Sequence, residues 1–375
     1  MRRLRPSLTP AGVLGALLLS GLVACATTGT QTGTAAGGIV PGTANVAGDM
    51  TWPTSTREHI DLWLHGYALL TSDTARVPFF RSGYRQRMRA VKNQGNVYSQ
   101  LDANFDRLSS RFVANPSLVN GQFVPFYFSS FEQMQQVTSA FLQSGGDPRA
   151  AGDPTTQQLF NVLAGTFPDP ADRDWLRLFV QSLADENNRF YQEYWSSQQR
   201  ERASVRQAVD SLWQRSVRPR IQRFLNNTQQ DNGELILSLP LDGEGRTVTY
   251  SRQQNSVAVG FPDSPGAAVE AVYVLAHEVV NAITATAIRD NVTPAEQRSG
   301  AAGRYTANAN VRAGAILLQR ATPELADGYM RYYLRAAGVS APSGDIRTLF
   351  ASTFPLPDTI RDAIARQIDI VLGGI

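Results

Sequence analysis

Leu235-Ile-Leu-Ser-Leu239, Thr247-Val-Thr-Tyr250 and Val257-Ala-Val-Gly-Phe261 are three short apolar and β-branched runs, joined by Asp242-Gly-Glu-Gly245 and Arg252-Gln-Gln-Asn255. Directly after them, Val269, Val272, Ala276, Val280, Ile283 and Ala287 recur at spacings of three and four. Short β-rich runs separated by turn residues read as strands, and a change to a 3.6-residue period reads as a helix. The stretch therefore predicts a small antiparallel sheet whose last strand feeds an amphipathic helix. Helical patterning flanks it on both sides, so the expected fold class is mainly α with a small antiparallel β-sheet (α+β).

Upstream, from Trp52 to about Thr228, the pattern is helical. Ser55 with Glu58, and Ser129 with Glu132, have the spacing of capping boxes, in which side chains satisfy free N–H groups at a helix start. Pro116, Pro125, Pro168 and Pro170 punctuate the run. Trp175, Leu176, Phe179, Phe190, Tyr191 and Trp195 form an apolar stripe expected to face the core. Downstream, Thr293-Pro294-Ala295-Glu296 and Thr322-Pro323-Glu324 place a threonine cap before proline at the first helical position. Carboxylate pairs such as Asp185 with Glu186, and Asp61 with Glu58, read as solvated helix faces rather than a glycosidase pair. The division expected is a helical lobe over 51–228 and a sheet-plus-helix lobe over 229–375.

The ends set the compartment. Arg2, Arg3 and Arg5 precede an apolar run from about Gly12 to Ala24, the layout of a secretory signal peptide. Leu22-Val-Ala-Cys25 matches the motif at which lipoprotein leaders are cut and the cysteine is acylated. Residues 1–24 are thus read as a leader, and 25–50, nearly free of charge and rich in Thr, Gly and Ala, as a lipidated Cys25 with a flexible tether. The expected location is the cell envelope, anchored to a membrane outside the cytoplasm. Ala26, rather than aspartate, favours the outer membrane of a two-membrane cell. The chain has one cysteine, so stability is expected to come from burial rather than an internal disulfide. The sequence carries 35 basic and 32 acidic residues, and three of the arginines lie in the leader, leaving the mature chain neutral. No nucleic-acid partner is implied. Lys92, the sole lysine, is read as a consequence of arginine-rich codon usage.

The candidate chemistry lies on the helix after the strands. Ala276-His277-Glu278-Val-Val-Asn281 has the shape of HExxH, in which two histidines one turn apart hold zinc and the glutamate takes a proton from the bound water. Here Asn281 replaces the second histidine. The preceding strand, through Val257 and Val259, is expected to be an edge against which a peptide substrate could align. His59 and His65, six residues apart on one predicted helix, point about 240° apart and cannot face one metal together. No Gly-x-Ser-x-Gly elbow occurs, and Gly243 and Gly245 read as a hairpin turn rather than a phosphate cradle.

These pieces, with Leu176-Arg-Leu-Phe, Trp213 and Asn310-Val-Arg312-Ala-Gly, resemble the gluzincin class of zinc metallopeptidases, within it an uncharacterised bacterial group. The resemblance runs loosely from residue 55 to 335. It implies a zincin-like core in the later lobe, a general base at Glu278, a metal ligand at His277, and a third ligand position at Asn308. With Asn281 and Asn308 both amides, and amide oxygens poor zinc donors, the expectation is a degenerate site without cofactor. The chain would then be an impaired metallopeptidase-like lipoprotein binding a peptide or an envelope protein. Two alternatives stand beside it: an active zinc peptidase with a non-standard ligand set using His277 and Glu278, and a purely structural envelope lipoprotein.

Overall fold

The computed structural model describes residues 51–72, 75–339 and 345–373. Cys25, the leader and the tether lie outside them. The described chain is mainly helical, with one four-stranded sheet in the order β1-β2-β4-β3: β1 Thr54–Ser55, β2 Glu234–Ser238, β3 Arg246–Ser251 and β4 Gln254–Gly260.

The sheet is mixed, which corrects the antiparallel expectation. β1 runs parallel to β2, and β2 runs parallel to β4, pairing Leu235 with Val257 and Leu237 with Val259. Only β3 and β4 form an antiparallel hairpin. The reason lies in the segment 239–245, which carries the chain past the place of a direct neighbour. β4 then returns between β2 and β3. A strand buried on both faces reads as a continuous apolar run rather than an alternating one, and every residue of β2 is buried. β3, with Val248 inward and Thr249 exposed, has the alternation of an outer strand. Val257 and Val259 consequently sit on an inner strand whose backbone is paired on both sides, and the expected edge for a substrate peptide is not there.

Each sheet face closes a different core. Leu235, Leu237, Val257, Val259 and Phe261 pack with the helices after the sheet, whereas Ile236, Leu241, Val248 and Ala258 pack with the helices before it. Full burial of such side chains stabilises by about 1.5–3 kcal/mol each, so the sheet is a wall shared by two cores. The cores do not divide at residue 228. Val205, Val209, Trp213, Val217 and Phe224 belong with the C-terminal half, and Tyr194 and Trp195 touch both cores. Trp52 and Trp213 meet edge to face at 6.3 Å, and the Trp213 indole donates to the Trp52 carbonyl at 2.9 Å, fixing the segment that leads into β1 against this core.

The earlier core is organised around the helix Glu58–Leu70, in which all but the first residue are buried. Gly66 allows the ring of Phe179 to approach closely enough that an added Cβ would stand 2.7 Å from it. Buried indoles find carbonyl partners, as buried polar groups must: Trp63 donates to Gly121 at 2.9 Å and Trp175 to Leu108 at 3.0 Å. Two capping assignments shift. The Ser55 hydroxyl donates to Glu234 in β2 instead of capping the first helix. At the helix Phe131–Gln143 the cap is Ser130, which accepts from Gln133 N at 3.1 Å. The Thr293–Glu296 capping box is present, while Thr322 makes no side-chain cap.

Candidate functional site

His277 and Glu278 end the helix Val269–Glu278, directly beneath the turn that leads into β3. Their side chains are 4% and 5% exposed. His277 Nδ1 stands 2.9 Å from Glu278 Oε1. The Gly245 N–H donates to the same oxygen at 3.1 Å, and the Thr247 hydroxyl donates to Oε2 at 2.7 Å. The imidazole is stacked on Tyr333 at 5.5 Å and 21°, and the Tyr333 hydroxyl donates to the Gly243 carbonyl at 3.0 Å. Burial favours the neutral Glu278 carboxyl, but the bond and charge of His277, the Thr247 hydroxyl and the nearby Arg246 outweigh it and hold the carboxyl below its ordinary range. A general base is usually tuned upward, towards the working pH. Glu278 is tuned the other way, and both its oxygens are occupied.

The glycines of the Asp242–Gly245 turn serve approach rather than positive φ. A Cβ on Gly245 would lie 2.7 Å from both Glu278 Cγ and the Ala258 carbonyl oxygen. Gly245→Ala is expected to push Glu278 off its amide and to lower stability by about 2–3 kcal/mol, because a buried charge then loses a bond. Urea unfolding of the full chain checks this.

The remaining motif positions do not join the pair. The helix breaks at Val279 and Val280 and restarts as Asn281–Asn291, so Asn281 does not follow His277 by one turn of continuous helix. The Val279 carbonyl freed at the break accepts from the Gln230 amide at 2.9 Å. Asn281 Oδ1 is buried without a hydrogen-bond partner among the described residues. Asn308, on the helix Ala301–Ala321, donates to the Pro355 carbonyl at 3.0 Å. Among the described residues no group of three or more His, Cys, Asp or Glu side chains is placed to hold a metal ion. One imidazole beside an already bonded carboxylate does not fit the three-donor set of a catalytic zinc site.

A second polar cluster was not legible in the sequence. His65, on the helix Glu58–Leu70, is fully buried: the Tyr84 hydroxyl lies 3.0 Å from its Nδ1, and Glu186 Oε1 lies 3.1 Å from its Nε2. Lys92 Nζ donates to Glu186 Oε2 at 2.7 Å and to Asp102 at 2.5 Å, and the Ser99 hydroxyl also donates to Glu186. Burial opposes the Glu186 charge, but the bond from His65 and the ammonium of Lys92 bring its carboxyl down to about 2. Burial lowers His65, consistent with a neutral imidazole that accepts from Tyr84 and donates to Glu186. Lys92 Nζ stands 3.2 Å from Ser99 Oγ, which is the spacing of a serine–lysine dyad. Its ammonium, however, is already taken by two carboxylates, Glu186 and Asp102. Glu186 and Asp61, read as solvated, are both completely buried, which corrects that expectation. The sole lysine of the chain was the one available signal.

Among known families, curated proteins and solved structures, the chain matches none. Residues 265–291 are long and apolar enough to cross a bilayer by composition, and 78% of the tested window is buried inside the protein itself.

Proposed function

We propose that this chain is an extracytoplasmic lipoprotein, held to a membrane through acylated Cys25, whose metallopeptidase-like motif has become a structural joint and whose work is binding rather than hydrolysis. The observation that carries this reading is the closed hydrogen-bond set around Glu278. A working zinc peptidase needs that carboxylate open to a metal-bound water, whereas here Gly245, Thr247 and His277 occupy both oxygens. The break after Glu278 supports the same reading, because it removes the continuous turn that would align a ligand at position 281.

The test is metal content and cleavage by the full chain, purified from membranes after growth with added zinc. Less than about one tenth of an equivalent of zinc is expected, with no cleavage of a peptide library. Glu278→Gln should lower thermal stability and leave that null activity unchanged, and Cys25→Ser should release the chain from membranes. Stoichiometric zinc with cleavage abolished in Glu278→Gln would overturn the binding reading. Retention of Cys25→Ser on membranes would overturn the anchor.

A further inference from the structure

Between the helix Tyr84–Gln94 and residues 97–105 lies a cleft of about 270 Å³, small for a ligand pocket and far from β3 in sequence. Its inner wall is buried and mostly aliphatic: Leu69 is 5% exposed, Met88 3% and Leu101 1%, with Lys92, 3% exposed and bound to Glu186 and Asp102, beside them. Its mouth is cationic and aromatic. Arg85 and Arg89, one helical turn apart, both hold their guanidinium carbons over the Phe105 ring, at 5.2 and 5.1 Å. Tyr98 stands at the same opening with 68% of its surface exposed.

Two neighbouring guanidiniums repel each other unless an anion lies between them. Among the described residues neither has a carboxylate within ion-pair reach; Arg85 spends one N–H on the Thr71 carbonyl at 2.7 Å. Burial and the charge of Arg89 both lower Arg85. The acid that does line the cleft, Asp102, is already bound by Lys92 at 2.5 Å and by the Ser99 N–H at 2.9 Å. An aliphatic interior behind a pair of planar cations is complementary to a molecule with an apolar tail and a planar anionic head, which guanidinium binds through paired N–H donors.

We propose that this cleft binds a small aliphatic carboxylate, tail inward against Leu69, Met88 and Leu101, head between Arg85 and Arg89. The site is independent of His277 and Glu278, so its fate and that of the zinc question are separate.

The probe is sodium octanoate, titrated calorimetrically into the full chain, with octanol as the uncharged control and Arg85→Gln/Arg89→Gln as the variant. Partitioning into lipid is common to both protein preparations and cancels between them. Dissociation near about 0.1 mM is expected, at least about ten-fold weaker for octanol and for the double variant. Because Arg85 also tethers Thr71, Arg89→Gln alone is measured too. It should weaken octanoate by about three-fold or more with the melting temperature unchanged. Absence of saturable octanoate binding, equal binding of octanol, or undiminished binding by the double variant would each overturn the proposal.

Discussion

Lys92→Met is expected to lower the unfolding free energy by about 3–5 kcal/mol, the cost of leaving a buried charge without its partner. The ammonium it removes serves Glu186, which is 0% exposed, and Asp102, whose side chain is 23% exposed. In its absence the Glu186 charge retains only His65 and Ser99 as hydrogen-bond donors within the cluster. Uptake of a proton by Glu186 would relieve part of the loss, so the variant should be weakest above neutral pH and recover somewhat in acid. The double variant Lys92→Met/Glu186→Gln removes both charges and should regain most of the stability, since His65 can still donate to an amide oxygen. Urea midpoints at constant slope measure both. A loss under about 1 kcal/mol for the single variant would show that the network contributes little.

Asp61→Asn is expected to stabilise the protein at pH 8 by about 2–4 kcal/mol and to leave it nearly unchanged at pH 4. Asp61 is buried against β2 and the Trp195 indole, which donates to its Oδ2 at 2.9 Å. Burial raises its carboxyl to about 7 from an ordinary 3.8, against opposing contributions from Ser238, Trp195, Leu239 and Arg81. The folded state therefore holds a proton that the unfolded chain releases. The stability this confers is complete below the unfolded value and is lost as pH rises from there through about 7. An amide cannot ionise and escapes that loss. The Ser238 hydroxyl faces the Asp61 carboxyl, and the asparagine N–H₂ can donate to that serine. Chemical denaturation of both forms at the two pH values gives the difference directly. Equal stability at pH 8 would contradict the raised carboxyl.

Two other buried ionisable groups, His59 and Glu186, work on the acid side. Burial and Arg57 lower His59 to about 4, so its contribution is present above its ordinary value of 6.5 and is lost as pH falls through 4. The contribution of Glu186 is lost further down, between its ordinary 4.5 and about 2. These groups and Asp61 bound the stable pH range from opposite sides.

The sequence showed where helices and strands would lie because period and turn chemistry are local. Leu235-Ile-Leu and Val257-Ala-Val fell where β2 and β4 are, and Thr293-Pro-Ala-Glu296 capped its helix as read. Strand neighbours are not local. Nothing in the turns reveals that β4 enters between β2 and β3, although the unbroken apolar run of β2 already suited an inner strand better than an alternating outer one. The same limit applied to the candidate site. His277 and Glu278 do meet, being adjacent, but at the helix break the Val279 carbonyl is taken by Gln230 from 49 positions upstream, which no spacing rule contains. Asp61 and Glu186 read as surface residues because charge predicts solvent until a partner is found, and their partners Ser99, Lys92 and Trp195 lie 87 or more positions away in sequence.

The pairing of Thr54 with Leu235 sets an order of events for a chain that emerges amino end first. Ile60, Leu62 and the rest of the earlier core are made long before Ile236, Val248 and Ala258, the residues that must cover them. During synthesis this half therefore waits with an open apolar flank, a natural target for a holding chaperone, and it closes only when the last strand of the wall has been made.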